Sequence, residues 1–409
     1  MPHAWEEPRD EEEVVRVVKR GMRVKVVGAG HSWSAIAAPD QIAMSLDRMS
    51  GIIREGDGTV TVRAGTRLRE LNKALAARGL ALPIVGSIAE QAIAGAIATG
   101  THGSSLVHGN LSSLVEGVKL VDGRGRVLTI EDERLDGVRV HLGALGVLTE
   151  ITLRVERAFR LAEQVETMKI ADACKRATEI AKSAEYVKIW WLPHTPRALI
   201  YRYERTTEPA TPRGALNRWL DETIVHRTIL PRALALHARR PQMIPRWNRI
   251  VVGAYEKAKR RVAPSPLCLS TPMPALHRET EAAVPLAKTG DAMAALTKLI
   301  EDSKVRVNFI AEIRFVRGDT SWMSPAYGGD VAQIGAYMGE TPETDRYFDA
   351  FWRAMRTFDA RPHWGKEMSH TRAEIERAFP RFARYVALRD ELDPSRTFSS
   401  PFTERTLGA

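Results

Sequence analysis

The chain has 409 residues, with 60 Lys+Arg against 50 Asp+Glu for a net charge of +10, and it is 44% hydrophobic and 27% charged. That length exceeds what one core usually fills, so two domains, or one carrying a large insertion, are expected; the composition excludes wholesale disorder, and no apolar run approaches the roughly 18 residues of a membrane span. The acidic, polar start from Met1 to Asp10 is no secretory signal, and two cysteines, Cys174 and Cys268, cannot build a disulfide framework, so a reducing, cytoplasmic setting is expected.

In chain order, Glu11 to Arg20 reads as a helix with Val14, Val15 and Val18 on its apolar face and Gly21 as its stop. A buried strand at Arg23 to Val27 runs into Gly28-Ala29-Gly30-His31-Ser32-Trp33, and strands follow at Ile42 to Leu46 and Val60 to Arg63. Thr66 is placed to cap a helix carrying Leu68, Leu71 and Leu75 and closed by Gly79. Ser87-Ile88-Ala89-Glu90 has the spacing of a capping box and opens a run of very small residues ending in Thr99-Gly100-Thr101-His102-Gly103-Ser104. Strands resume at Gly117 to Val121, Val127 to Ile130 and Leu148 to Val155. Val305 to Val316 alternates as a long strand, and helices are predicted from Thr341 to Met355 and from Arg372 to Leu392.

The charge excess is local. Between Arg213 and Arg261 twelve basic residues face three acidic ones, which accounts for nine of the ten net charges. Trp219, Trp247 and short apolar runs are interleaved with those arginines. The segment reads as a surface insertion with solvated or paired arginines, or as a weak peripheral contact with anionic lipid. None of the usual nucleic-acid motifs accompanies it, so no nucleic-acid partner is expected.

Gly28-x-Gly30 after a strand lacks the third glycine of a dinucleotide fingerprint, and no amphipathic crossover helix follows. Its backbone N–H groups still form an anion nest suited to a pyrophosphate. His31 alone reads equally as a hydrogen-bonded turn residue or a cofactor contact. In Val305 to Val316, Val305, Val307, Phe309, Ala311, Ile313 and Phe315 share one face, and Glu312 and Arg314 share the other. Such a pair is ordinarily a solvated ion pair on an open sheet face.

Two glycine-rich loops, each with a histidine and hydroxyls, point to one long diphosphate cofactor. Gly28 to Ser32, Ala94 to Ser104, Leu142-Gly143-Ala144-Leu145-Gly146-Val147 and Arg361-Pro362-His363-Trp364-Gly365-Lys366 resemble, in that order, the FAD-linked oxidases of the vanillyl-alcohol-oxidase type, and within them the aldonolactone oxidoreductase and alditol oxidase branch. The resemblance covers nearly the whole chain except the basic insertion. It implies a two-domain α+β architecture: a PCMH-type FAD-binding fold over residues 1–157, completed by about 375–409, and a sheet-based substrate (cap) domain over 158–374 with the basic insertion at about 205–262.

The resemblance also implies roles. Val27, Gly28, Ala29, Gly30, His31 and Ser32 would hold the pyrophosphate, with His31 joined covalently to the flavin. Neither cysteine lies in the second motif, so a second covalent link is not expected. Gly86, Ser87, Gly95, Thr99, Gly100, Thr101, His102 and, through its backbone, Leu148 match flavin-contacting positions, and a small residue at Gly86 goes with oxygen as oxidant. Glu312-Ile313-Arg314 matches the Glu-x-Arg of the substrate pocket, and Lys366 the active-site lysine. The three are taken as catalytic, and Ser87, His363 and Tyr337 as substrate contacts beside them, with no metal. Tyr337 stands where the pattern after Ser324-Pro325-Ala326-Tyr327-Gly328 departs from that of relatives. The expected reaction is flavin-dependent oxidation of a sugar-derived alcohol, an aldono-1,4-lactone before an alditol, with hydrogen peroxide as co-product. The rival from another class is a non-catalytic membrane or nucleic-acid binding protein.

Overall fold

The computed structural model describes residues 2–212, 228–255, 260–270 and 276–408. Helix Glu11–Val18 starts at Asp10, whose carboxylate accepts the Glu13 N–H at 2.9 Å, and three glutamates fill its positive first turn. Its buried face holds Val14, Val17 and Val18. Val15, expected there, is only half-buried. Strands Ala4–Glu6, Ile42–Ser45 and Val24–Val27 form a parallel three-stranded sheet in that order.

A five-stranded antiparallel sheet follows, in the order Ile52–Gly56, Thr59–Arg63, Val147–Arg154, Val115–Val121, Val127–Ile130. Helix Leu68–Ala76 packs Leu68, Leu71 and Leu75 as expected. Thr66 does not cap it: its hydroxyl donates back to the Arg63 carbonyl at 2.6 Å. Nor does Ser87 start a helix. The small-residue helix is Ile93–Ala98, with Ala92 at its cap, and no side chain closes that end.

From Arg160 the chain builds a second, eight-stranded antiparallel sheet in the order Arg261–Pro264, Arg160–Lys169, Arg197–Thr206, Tyr186–Trp191, Ala311–Val316, Val331–Met338, Arg278–Pro285, Arg361–Pro362. One face presents Val187, Ile189, Trp191, Ala311, Ile313 and Phe315 to helices that include Thr289–Ser303 and Thr344–Met355, which closes an apolar core. The other face carries charged side chains. The paired strand begins only at Ala311; Val305 and Val307 are buried ahead of it without joining the ladder.

The chain then returns to the first core. Phe379, Phe382, Tyr385, Leu388 and Phe402 pack with Val118, Leu120 and Ile151. The predicted single helix from Arg372 to Leu392 is two, Arg372–Ala378 and Phe382–Leu392, because Pro380 cannot donate a helical hydrogen bond. The preceding helix begins at Thr344, later than expected from Thr341.

Of the basic segment, residues 213–227, with Trp219, and residues 256–259 lie outside the described residues. Helices Leu230–Arg239 and Ile244–Tyr255 are described. They are no loose appendage: Asn248 Nδ2 donates to the Pro193 carbonyl at 2.8 Å, and Leu230 and Leu234 pack with Phe309 and Tyr337. Trp247 meets the His237 ring at 5.7 Å.

Candidate active site

The strand Val24–Val27 opens into a loop where Gly30 takes φ +71°, a left-handed turn that glycine adopts without steric cost. Against this loop lies a cavity of about 310 Å³. Val27, Gly28, Ala29, Gly30, His31, Ser32, Gly95, Thr99 and Leu148 all line it, whereas Gly86, Ser87, Gly100, Thr101 and His102 stand outside its wall. Lys25, Asp47 and His141 also line it and escaped the sequence reading. The Lys25 ammonium donates to the Gly143 and Phe398 carbonyls, and burial lowers it to about 8 despite Asp393. His141 Nδ1 accepts the Gly143 N–H at 3.2 Å, so its proton sits on Nε2. That nitrogen is buried and closes no hydrogen bond among the described residues; burial holds the ring down at about 4, against a weaker pull from the Ala94 carbonyl. An orphaned donor, an exposed-backbone nest and small residues on the facing helix fit a phosphate-bearing nucleotide.

The charged face of the large sheet stands beside this cavity. Gly335 lies opposite both Glu281 and Glu312 in the registers of its two neighbouring strands. A Cβ on Gly335 would meet the Tyr337 ring at 2.6 Å, so the glycine makes room for that ring between the two carboxylates. Glu312 is 1% exposed rather than solvated. One oxygen accepts the Trp190 indole N–H at 2.6 Å, with Lys188 Nζ at 3.9 Å; the other accepts Arg314 Nη2 at 2.6 Å and the Tyr337 hydroxyl at 3.2 Å. Burial pushes the Glu312 carboxyl up, but Arg314 and Lys188 outweigh it and hold it ionised below its usual range. The same Arg314 Nη2 donates to Ser87 Oγ at 2.6 Å, which explains why Ser87 caps nothing.

Lys366 arrives on the loop after the edge strand Arg361–Pro362. Its ammonium contacts the Glu279 carboxylate, and its Nζ lies 5.8 Å from the centre of the Tyr337 ring. Burial lowers the amine to about 7. The lysine keeps a fifth of its side chain exposed and touches a carboxylate, so the ammonium is its resting form. The loop is tied to the glycine loop by Trp33 N–H to the Gly365 carbonyl at 2.7 Å and Ser34 Oγ to the Trp364 carbonyl at 2.6 Å.

His102, Glu281 and His363 form a second buried group. His102 Nε2 meets Glu281 at 3.0 Å and its Nδ1 meets the Gly103 carbonyl at 2.8 Å. Burial pushes the Glu281 carboxyl up, but His102, His363 and Arg314 bring it down to about 2. The trio has the donor set of a metal site. However, the Gly365 N–H donates to His363 Nδ1 at 3.1 Å, so His363 carries its proton on Nε2 and offers a donor there instead of a ligand.

Comparison with known proteins decides the family. The D-arabinono-1,4-lactone oxidase family model matches residues 151–406, and an FAD binding domain model matches residues 2–131. The L-gulono-1,4-lactone dehydrogenase of Mycobacterium tuberculosis is 31% identical over all of this chain and 96% of its own length. The chain belongs to the aldonolactone oxidase family of FAD-linked flavoproteins. Family members similar to it also include the L-gulonolactone oxidase of Scyliorhinus torazame, 30% identical over 99% of this chain and 95% of its own. The D-arabinono-1,4-lactone oxidase of Eremothecium gossypii is 36% identical over 51% of this chain and 42% of its own. Cholesterol oxidase from B. sterolicum shares the fold, with a TM-score of 0.85 over 98% of this chain and 93% of its own at 17% identity.

The Tyr337 hydroxyl donates to Glu312 at 3.2 Å, which ties this side chain into the carboxylate cluster while its oxygen can still accept. A Cβ on Gly86 would lie 2.7 Å from the Thr101 methyl, so the glycine allows a close approach of two segments. Glu279 and Glu281 were missed, although Arg278–Pro285 shows the same alternation that singled out Glu312 and Arg314, with Ala282 and Val284 on its core face.

Proposed function

We propose that this chain oxidises a secondary carbinol of an aldono-1,4-lactone of the L-gulono or D-arabinono type, using FAD and passing the electrons to oxygen as hydrogen peroxide. The observation that carries the reading is the paired set of cations, Arg314 and Lys366, each held by a buried glutamate on one sheet face beside the glycine-loop cavity. Bound FAD supplies the hydride acceptor, N5 of its flavin ring. Lys366, after its ammonium has given up a proton, takes the hydroxyl proton as the neutral amine. Arg314 polarises that hydroxyl; its Nε closes no hydrogen bond among the described residues, a donor that a substrate oxygen would satisfy. Ser87 accepts from Arg314 and so keeps its own proton to donate to a neighbouring substrate hydroxyl. Glu312 orients Arg314, and His363, grouped with His102 and Glu281, is kept as a substrate contact.

The covalent link is assigned to His31. It lines the cavity, and burial, with Arg67 and Lys366 adding to it and Glu90 opposing, lowers its basicity, favouring the neutral imidazole that can act as nucleophile. Gly86 is the basis for naming oxygen as acceptor. The FAD-binding unit is drawn as 1–157 completed by about 375–409, and the cap as 158–374. No helix among the described residues is long and apolar enough to cross a membrane. We place the enzyme in the cytoplasm, with weak contact to anionic lipid through 213–261, where Leu236, Met243 and Ile250 stand exposed among arginines.

Anaerobic mixing with a panel of lactones and polyols tests the reading: aldono-1,4-lactones should bleach the flavin, and bleaching by alditols alone would overturn it. Acid precipitation that leaves all flavin in the supernatant would refute the His31 link. Peroxide yield against an artificial acceptor tests the oxidant.

A further inference from the structure

Glu279 is buried, on strand Arg278–Pro285, and its two oxygens divide their work: one contacts Lys366 Nζ, and the other meets His277 Nε2 at 2.6 Å. The geometry is over-determined. Glu367 N–H donates to the Glu279 carbonyl at 3.0 Å, Thr280 Oγ1 to the Glu367 carbonyl at 2.7 Å, and Arg278 grips the Glu367 carboxylate at 2.7 and 2.6 Å. His277 is fixed in turn, stacked on Phe309 at 4.5 Å and tilted against Trp33 at 5.2 Å. Surface ion pairs are not built this way; each partner here is locked by its own second set of contacts.

We propose that Glu279 is a positioning residue that holds Lys366 Nζ at the reacting hydroxyl and, with His277 behind it, sets the pH range over which that amine accepts the substrate proton. The inference rests on Lys366 being the proton acceptor. In the step, the substrate O–H bond breaks and its proton passes to the neutral amine of Lys366, giving the ammonium, while the carbinol C–H leaves as hydride with both electrons to the flavin; the substrate becomes a ketone. Glu279 stabilises the ammonium that this step creates. Burial alone brings the amine down to about 7, and the carboxylate in contact raises its basicity from there, so Glu279 shifts to higher pH the range in which the neutral amine is present. Other titratable groups face the pair: Tyr337 from the neighbouring strand, His31 from the glycine loop, His363 on the same loop, and the Arg278–Glu367 and Arg314–Glu312 ion pairs. Only Glu279 touches the amine among the ionic contacts of the described residues.

The test is the pH profile of flavin reduction by a saturating aldonolactone, followed anaerobically in holoenzyme. The rate should rise with pH through the Lys366 ionisation. Glu279→Gln removes the charge that favours the ammonium, so the rising limb should move to lower pH by about one unit or more, and the plateau rate should fall because the base is weaker. A limb that stays in place while the plateau falls would mean that Glu279 only supports the loop, and overturns the proposal. Glu279→Asp should move the limb in the same direction by less, and carries the test if Glu279→Gln loses its flavin. Lys366→Met separates the two ideas: a surviving limb in that variant refutes Lys366 as acceptor, whereas loss of reduction with an unmoved Glu279→Gln limb refutes only the role of Glu279.

Discussion

Replacing Glu312 by glutamine is isosteric, yet it should be costly. Every group named around that carboxylate is a donor: the Trp190 indole N–H, the Lys188 ammonium, the Arg314 guanidinium and the Tyr337 hydroxyl. The new NH2 must therefore face a donor whichever way the amide turns, and Arg314 and Lys188 lose the charge that offsets their burial. Removing one partner of a buried pair typically costs about 3–5 kcal/mol, and the unsatisfied amide adds to the upper end. Urea unfolding of the holoenzyme should show that loss. As control, Glu150→Gln removes a half-buried partner of Lys119, 3.0 Å away, and should cost under about 1 kcal/mol. Flavin reduction by lactone should slow by about a hundredfold in Glu312→Gln, since Arg314 is no longer aimed. A stability loss as small as the control's would refute the view that Glu312 is a charged anchor.

Tyr337→Phe should cost about 1.5 kcal/mol for a hydrogen bond to a charged group and leave the lactone Kd within about twofold; a tenfold weaker Kd would place Tyr337 at the substrate. Gly335→Ala pushes a methyl into the Tyr337 ring and should cost about 1–3 kcal/mol by thermal unfolding, and an unchanged Tm would contradict the packing. His141 and His363, both lowered by burial to about 4, resist protonation that the unfolded chain accepts below about 6.5. Their contribution is full above pH 6.5 and falls away as pH drops toward 4, by about 2 kcal/mol each at pH 5. Equal urea midpoints at pH 7 and pH 5 would contradict this.

The glycine loops, the alternation that pairs Glu312 with Arg314 and the lysine after His363-Trp364-Gly365 were legible because each is a local pattern with a chemical reason. What was illegible depended on neighbours far along the chain. Alternation says that Glu312 and Arg314 share a face, but the burial of that face comes from Trp190 on one flanking strand and Tyr337 on the other. Ser87 has the spacing of a cap, yet its hydroxyl is claimed by Arg314, 227 positions away, a stronger partner than a backbone N–H. Glu279 and Glu281 carried a readable signal in the period of their strand; nothing local said that this strand sits two places from Glu312 in the sheet order. The basic segment was read as surface from its charge, and Leu234 shows that charge density on one face of a helix does not reveal what its other face covers.

The bonds from Trp33 and Ser34 to Gly365 and Trp364 bear on how such enzymes can be recombined. The lysine loop belongs to the large sheet by strand pairing, but its position is also set by the segment following His31. Chimeras that join this nucleotide-binding half to a relative's cap at a crossover near residue 157 would part the two loops that hold one another. Exchanging residues 361–366 together with residues 28–34 keeps that junction native on both sides, and chimeras cut this way should retain the host's proton acceptor geometry while adopting the guest's substrate range.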